Sequence, residues 1–265
     1  MKYKLVVSDL DGTLLDDRKN VSFANLEAIK KLRDSGIMFT IATGRGERAA
    51  SGFLKLLEID IPAILFNGGE IFDPFRGPID VKYLEKEVLH LVLDCFKDSE
   101  IGIVTYWHDK IFISDFKPAH EIYLEREKVK YEVVKNLKDI DEVNKVLLVG
   151  DVSYSVKKMM ELEAKTGLSI NYVKSERFYL EVLPEGVSKG RGLERLCNIL
   201  GIDRQSVVAI GDNMNDLSMI KFAGLGVAVR NAEEEVKKAA RLIVPTNNED
   251  GVAYLLEKIA DGEVE

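Results

Sequence analysis

Short, unbroken apolar runs, each ending in polar residues, constrain this chain more than any other feature. "KLVVSDL" near the N-terminus, "IMFTIATG" after it and "SVVAIGD" late in the sequence carry apolar residues at consecutive rather than alternate positions. A strand of that kind is buried on both faces, as in a parallel sheet covered by helices on either side. The intervening segments supply such helices. "SFANLEAIKKLRDSG" sets Leu26, Ile29 and Leu32 on one face and stops at Gly36, "GERAASGFLKLLEI" is a second helix, and "PAILFNGG" a third strand. Strand, helix, strand, helix, strand predicts an α/β fold with a Rossmann-like parallel sheet.

The same grammar returns late, from the helix "VSKGRGLERLCNILG" through the strands "SVVAIGD", "LGVAV" and "RLIV" to the closing helix "DGVAYLLEKIA". The middle reads differently. "GIVTYWHDKIFISD" alternates polar and apolar residues around a His-Asp-Lys turn, which predicts an antiparallel hairpin with one wet face. "KVLLVGD", "SINYVKSE" and "RFYLEVLP" extend a mixed α+β pattern. The change of pattern predicts a core of residues 1–82 and 184–265 with an α+β domain, 83–183, inserted near the turn-prone Pro78 and Pro184–Gly186.

With 265 residues the chain has ample length for a buried core, and its net charge of −8 lacks the basic footprint of a nucleic-acid binder. No apolar run is long enough to span a bilayer. The N-terminus meets acid almost at once, without a signal peptide's apolar core, so a cytoplasmic protein is expected. Cys95 and Cys197 sit in amphipathic helical patterns without CxxC or His-rich company and read as buried small hydrophobes.

Four polar clusters lie at strand ends or helix starts, the edge of an α/β sheet where ligands bind. In Asp9-Leu10-Asp11-Gly12-Thr13 the two carboxylates lie two residues apart, so on an extended chain they face one pocket. There they share a proton or hold a cation, and a hard cation such as Mg²⁺ pairs naturally with phosphate; the plain alternative is an acidic turn bent at Gly12. Thr43-Gly44-Arg45 offers a hydroxyl and backbone N–H groups suited to a phosphate oxygen, although Thr43 would serve equally as a helix cap. Ser188 reads as an N-cap, which sets Lys189 in the first helical turn, where a cation opposes the helix dipole unless an anion compensates. In "GDNMND", Asp212, Asn213, Asn215 and Asp216 exceed what capping one helix requires.

The order DxDGT, then a threonine after a strand, a lysine, and GDxxND resembles the haloacid dehalogenase (HAD) superfamily of phosphatases. The insertion between the second and third motifs resembles its Cof-type branch (type IIB, C2-capped), as do "FNGGEIF" and "NNEDGVAYLLEKI". The resemblance implies a HAD core with an inserted cap that closes over the site. It makes Asp9 the nucleophile that forms an aspartyl-phosphate, and Asp11 the acid that protonates the leaving group and then the base that activates water. Thr43, Gly44 and Lys189 would hold phosphoryl oxygens, with Asn215 reaching the phosphate or Lys189. Mg²⁺ would be bound by the Asp9 side chain, the Asp11 carbonyl and Asp212, with Asp216 and Asn213 orienting those ligands.

The expected activity is therefore hydrolysis of small phosphorylated metabolites, sugar phosphates first, with no nucleic-acid or membrane partner. A phosphomutase of the same superfamily is the nearest rival, and a phosphometabolite sensor without turnover the rival from another class, although every catalytic position is filled. A dinucleotide-binding domain is disfavoured because no GxGxxG follows the first strand. Trp107, His108 and Asp109, at a hairpin tip, are as readily an ordinary turn as a substrate contact, while His90 and His120 and the charged run "EREKVKYEVVKNLKD" read as solvated surface.

Overall fold

The computed structural model describes residues 2–264 except Lys128, and not the side chains of Arg126 and Glu127. They form two compact units, one of residues 1–45, 50–80 and 188–265, the other of residues 46–49 and 81–187. The sequence reading set the edges of the insertion at 83 and 183 and assigned residues 46–49 to the core.

In the first unit β1 (Leu5–Ser8), α1 (Phe23–Asp34), β2 (Met38–Ile41), α2 (Glu47–Leu56, apart from residues 47–49) and β3 (Ala63–Leu65) follow one another, then β4 (Glu70–Asp73) and β5 (Gly77–Val81, apart from Val81). The second unit holds α3 (Lys86–Phe96), β6 (Gly102–Trp107), β7 (Lys110–Ile113), α4 (Pro118–Glu127), β8 (Glu132–Val133), β9 (Lys145–Val149), α5 (Val152–Thr166), β10 (Tyr172–Glu176) and β11 (Tyr179–Val182). The chain returns to the first unit with α6 (Lys189–Leu200), β12 (Val207–Gly211), α7 (Leu217–Phe222), β13 (Leu225–Val229), α8 (Glu234–Ala239), β14 (Leu242–Val244) and α9 (Gly251–Ala260).

The first unit is the α/β core that its apolar runs predict. Its sheet has the order β14-β13-β12-β1-β2 with every pair parallel. β1, β12 and β13 are buried at every position, as continuous apolar strands require. Because β1 and β12 are neighbours, with Ser8 opposite Ile210, the chain leaves both at the same edge, and Asp9 N–H still donates to Ile210 O at 2.9 Å. The expected third parallel strand differs. β3 lies parallel beside the end of β2 through an isolated Ala42–Ile64 bridge rather than a full ladder, and it pairs antiparallel with β4. The turn Phe66–Gly68 follows its three residues and reverses the chain into β4.

The loop after β1 is fixed by its own backbone and by two buried asparagines. Leu14 and Leu15 N–H groups donate to Leu10 O at 3.1 and 2.9 Å. Asn25, on the α1 face that also buries Ala28, Ile29 and Leu32, donates to Leu14 O and accepts from Ala253 N–H of α9. Asn247 Nδ2 donates to Leu15 O at 3.0 Å. A buried amide engaged through both donor and acceptor, as Asn25 is, acts as a rigid tie.

The second unit is built on a sheet of order β10-β11-β9-β6-β7-β8, antiparallel except for β7–β8. One face packs Ile103, Phe112, Val146, Leu148, Leu180 and Val182 against α3 and α5. The hairpin's other face, expected wet, is covered by α4. β6 is buried from Gly102 to Tyr106, and Tyr106 Oη meets Tyr123 Oη of α4 at 2.7 Å. The charges of "ERE" at its end hid that helix from a reading based on apolar periodicity. His120, also expected at the surface, is buried; Lys117 N–H donates to its Nδ1, and its Nε2 lies 3.1 Å from Ile103 O.

Candidate active site

The four polar clusters all fall in the first unit, and Lys189 joins three of them. Ser188 caps α6 by accepting from Arg191 N–H, so Lys189 opens the helix with its side chain buried. Its Nζ donates to Asp9 Oδ1 at 2.6 Å and to Asp216 Oδ1 at 2.5 Å. These carboxylates are the anions that a cation at a helix N-terminus needs. Although burial works against its charge, Asp216 and Asp9 hold Lys189 protonated and raise its pKa.

Asp9, Asp212 and Asp216 each bring a carboxylate oxygen to within 4.8 Å of the others. Burial raises the Asp9 pKa well above the usual carboxylate range, and the Asp216 charge adds to it while Lys189 opposes. Asp212 is pushed up to about 7 by burial and then by Asp216, against the hydroxyl of Thr13, which donates to its Oδ1 at 2.8 Å. Asp216 is tied in place from its other oxygen, which accepts the N–H groups of Asp212 and Asn213 at 2.9 and 3.0 Å. Asn213 in turn caps the short 3₁₀ turn Met214–Asp216. Gly12 (φ +84°) lets the chain pass Asp212 closely, for a Cβ there would lie 2.5 Å from Asp212 Oδ2.

Hard oxygen donors, buried together with one cation among three acids, fit a divalent metal ion. Burial and then the Asp216 charge lift the pKa of Asp9 and Asp212, and a cation offsets both.

Asp11 stands apart from this cluster. β1 ends at Ser8, so strand alternation does not extend to Asp9 and Asp11. Asp11 instead meets two cations: Arg45 Nε and Nη2 each donate to one of its oxygens at 2.7 Å, and Lys19 Nζ donates to Oδ1 at 2.6 Å. Burial opposes its charge, but Arg45 and then Lys19 hold its carboxyl well below the usual range. Neither cation was singled out by the sequence reading. Arg45 was visible only as the residue after Thr43-Gly44, and Lys19 had no signal.

Thr43 is buried, and its Oγ1 accepts Arg45 N–H at 3.1 Å. It closes a turn ahead of α2 and does not cap that helix. Asn67 was missed as a site residue: its Oδ1 accepts from Asn215 Nδ2 at 3.0 Å, and its backbone N–H donates to Thr43 O at 3.0 Å. The "NGG" that contains it was the available signal.

Residues 6–256 match the haloacid dehalogenase-like hydrolase family. The 5-amino-6-(5-phospho-D-ribitylamino)uracil phosphatase YwtE of Bacillus subtilis is 31% identical over 286 residues, covering 98% of this chain and 99% of that one. A haloacid dehalogenase-like hydrolase from Bacteroides thetaiotaomicron has the same fold, with a TM-score of 0.87 at 36% identity over 97% of this chain and 99% of the other. The subclass IIB sugar phosphatase BT4131 shares the fold at a TM-score of 0.84 and 21% identity, over 97% and 98% of the two chains. No helix among the described residues is long and apolar enough to cross a membrane. With its DxDGT, Lys189 and GDNMND loops gathered on one sheet edge, the chain belongs to the haloacid dehalogenase-like hydrolases and is an enzyme of that family.

Proposed function

We propose that the chain is a Mg²⁺-dependent phosphatase of small phosphorylated metabolites, sugar phosphates foremost, working through a phosphoryl group carried on Asp9. The observation that carries this reading is the buried Lys189 shared by Asp9 and Asp216, with Asp212 alongside. It pairs a nucleophile with the cation that a transferring phosphoryl group requires. The names of the B. subtilis relative and of the sugar phosphatase with the same fold support the substrate class.

Asp9, Asp212 and the Asp11 carbonyl would hold Mg²⁺, which when bound offsets the negative charge on the phosphoryl oxygens. A carboxylate oxygen of Asp9 attacks phosphorus and the ester P–O bond breaks. Lys189 holds Asp9 in place and keeps its positive charge beside the phosphoryl oxygens. The departing alkoxide takes a proton from Asp11. Asp11 then removes a proton from water, which attacks phosphorus, frees phosphate and restores Asp9. The ion pairs with Arg45 and Lys19 suit Asp11 to the second, basic task. For the first it must be drawn off them to gain a proton. The Thr43–Gly44 turn and Asn215 would receive the remaining phosphoryl oxygens.

The test is turnover of p-nitrophenyl phosphate and of a sugar-phosphate panel, scored by kcat/KM and by inorganic phosphate released. Activity that chelation abolishes and Mg²⁺ restores is expected. Turnover surviving exhaustive chelation would overturn the metal assignment, and transfer between sugars without phosphate release would identify a phosphomutase.

A further inference from the structure

The turn Phe66-Asn67-Gly68 takes three left-handed backbone conformations in succession, with φ of +49°, +55° and +92°. Two of the three residues are not glycine, and each such residue costs about 1–3 kcal/mol unless its surroundings impose it. The surroundings here are the substrate-binding loops. Phe66 N–H donates to Arg45 O at 3.1 Å, and Asn67 N–H to Thr43 O. At Gly68 a Cβ would lie 2.2 Å from Ser188 O, so only glycine lets the turn reach the start of the Lys189 helix. Asparagine is among the few residues that tolerate this region, but glycine would occupy it more cheaply. What asparagine adds at position 67 is its side chain, which is 1% exposed.

That side chain touches two of the four clusters. Its amide lies 3.1 Å from where a Gly44 Cβ would stand, and its Oδ1 accepts from Asn215 Nδ2. The acceptor fixes the sense of the Asn215 amide, since a flipped amide would set two oxygens against each other. One Nδ2 proton is then committed to Asn67 and the other is directed away from it. Asn215 Oδ1 is buried without a hydrogen-bond partner, and as an acceptor it calls for a donor such as a substrate hydroxyl rather than a phosphoryl oxygen.

We propose that Asn67 is a positioning residue for phosphoryl binding: it locks the Asn215 amide and backs the Thr43–Gly44 turn so that both present donors to one phosphoryl group. The inference rests on the phosphatase reading of the site and adds to it a residue that acts through Asn215.

The experiment compares wild type, Asn67→Gly, Asn67→Asp, Asn215→Ala and the Asn67→Gly/Asn215→Ala double variant in Mg²⁺. It reads kcat/KM for p-nitrophenyl phosphate and the Kd of inorganic phosphate. Asn67→Gly keeps the backbone and loses the lock, and is expected to weaken phosphate binding about tenfold, as does Asn215→Ala, from one hydrogen bond to a charged group. The double variant is expected to lose about the same tenfold rather than the product of the two, because both remove one unit. Asn67→Asp keeps the oxygen that accepts from Asn215 but buries a carboxylate beside the bound anion, so it weakens phosphate binding whatever the role of Asn67 and serves only as a folding control. Independent, multiplying effects of Asn67→Gly and Asn215→Ala would overturn the proposal. Should Asn67→Gly fail to fold, the same double-variant comparison with Asn67→Ala decides. A wild-type protein that neither turns over the ester nor binds phosphate would overturn the phosphatase reading itself and this inference with it.

Discussion

Replacing Lys189 with Met removes the ammonium and keeps an unbranched apolar stem, so the change isolates the charge. Two charge-assisted hydrogen bonds disappear, at 2.6 Å to Asp9 and 2.5 Å to Asp216. At about 1.5–3 kcal/mol each they sum to about 3–6 kcal/mol, and breaking a buried ion cluster from one side costs about 3–5 kcal/mol in comparable cases. Both carboxylates are left buried, and the loss depends on pH with a definite sign. Without the cation the folded-state pKa of Asp9, already raised by burial, stands higher still above the unfolded value. The folded state then binds more protons, and the penalty is full above the raised pKa and absent below the unfolded one. In denaturant titrations Lys189→Met should therefore be about 3–5 kcal/mol less stable than wild type near pH 8. That defect should shrink by about 1.4 kcal/mol per pH unit on acidification while one carboxylate is being neutralised. Lys19→Met, which removes a half-exposed partner of Asp11, is the control and should cost about 1 kcal/mol or less. A Lys189→Met protein within about 1 kcal/mol of wild type near pH 8, or a defect that grows on acidification, would refute the reasoning.

Two further outcomes concern the metal. Asp212, with its pKa pushed to about 7, must lose its proton to bind a cation, so calorimetric Mg²⁺ affinity should fall about tenfold per pH unit below neutrality; a flat profile would contradict the assignment. Gly12→Ala drives a Cβ to 2.5 Å from Asp212 Oδ2 at a φ of +84°. It should cost about 1–2 kcal/mol in stability and raise the Mg²⁺ concentration needed for half-maximal activity at least about tenfold, and an unchanged Mg²⁺ requirement would count against Asp212 as a ligand.

The core was legible because a buried parallel strand leaves a mark that nothing else does. Leu5–Val7 and Val207–Ile210 are apolar without alternation, and the polar residues that end each run stand where the sheet releases the chain. Lys189 was legible as a misfit with its helix dipole, and Asp9 and Asp216 supply the missing anions. The rest depended on contacts distant in sequence. Nothing near Asp11 says that Arg45, 34 residues away, will bind it bidentately. The left-handed backbone at Phe66 was not legible in a stretch read as a strand end, although Asn67-Gly68 carries the composition of a turn. α4 was hidden because its last three residues are all charged and its apolar ones are few, and what buries Tyr106 and His120 is tertiary packing rather than periodicity.

The central claim is that Asp9 carries the phosphoryl group, and a trapped intermediate tests it most directly. In Asp11→Asn the base that activates water is gone, while p-nitrophenolate leaves without an acid, so phosphorylation outruns hydrolysis. Acid-quenched Asp11→Asn, mixed with p-nitrophenyl phosphate and Mg²⁺, should yield by mass spectrometry a peptide containing Asp9 heavier by one HPO₃. The adduct should be absent from Asp9→Asn/Asp11→Asn. An adduct on another residue, or its persistence when Asp9 is replaced, would contradict the account.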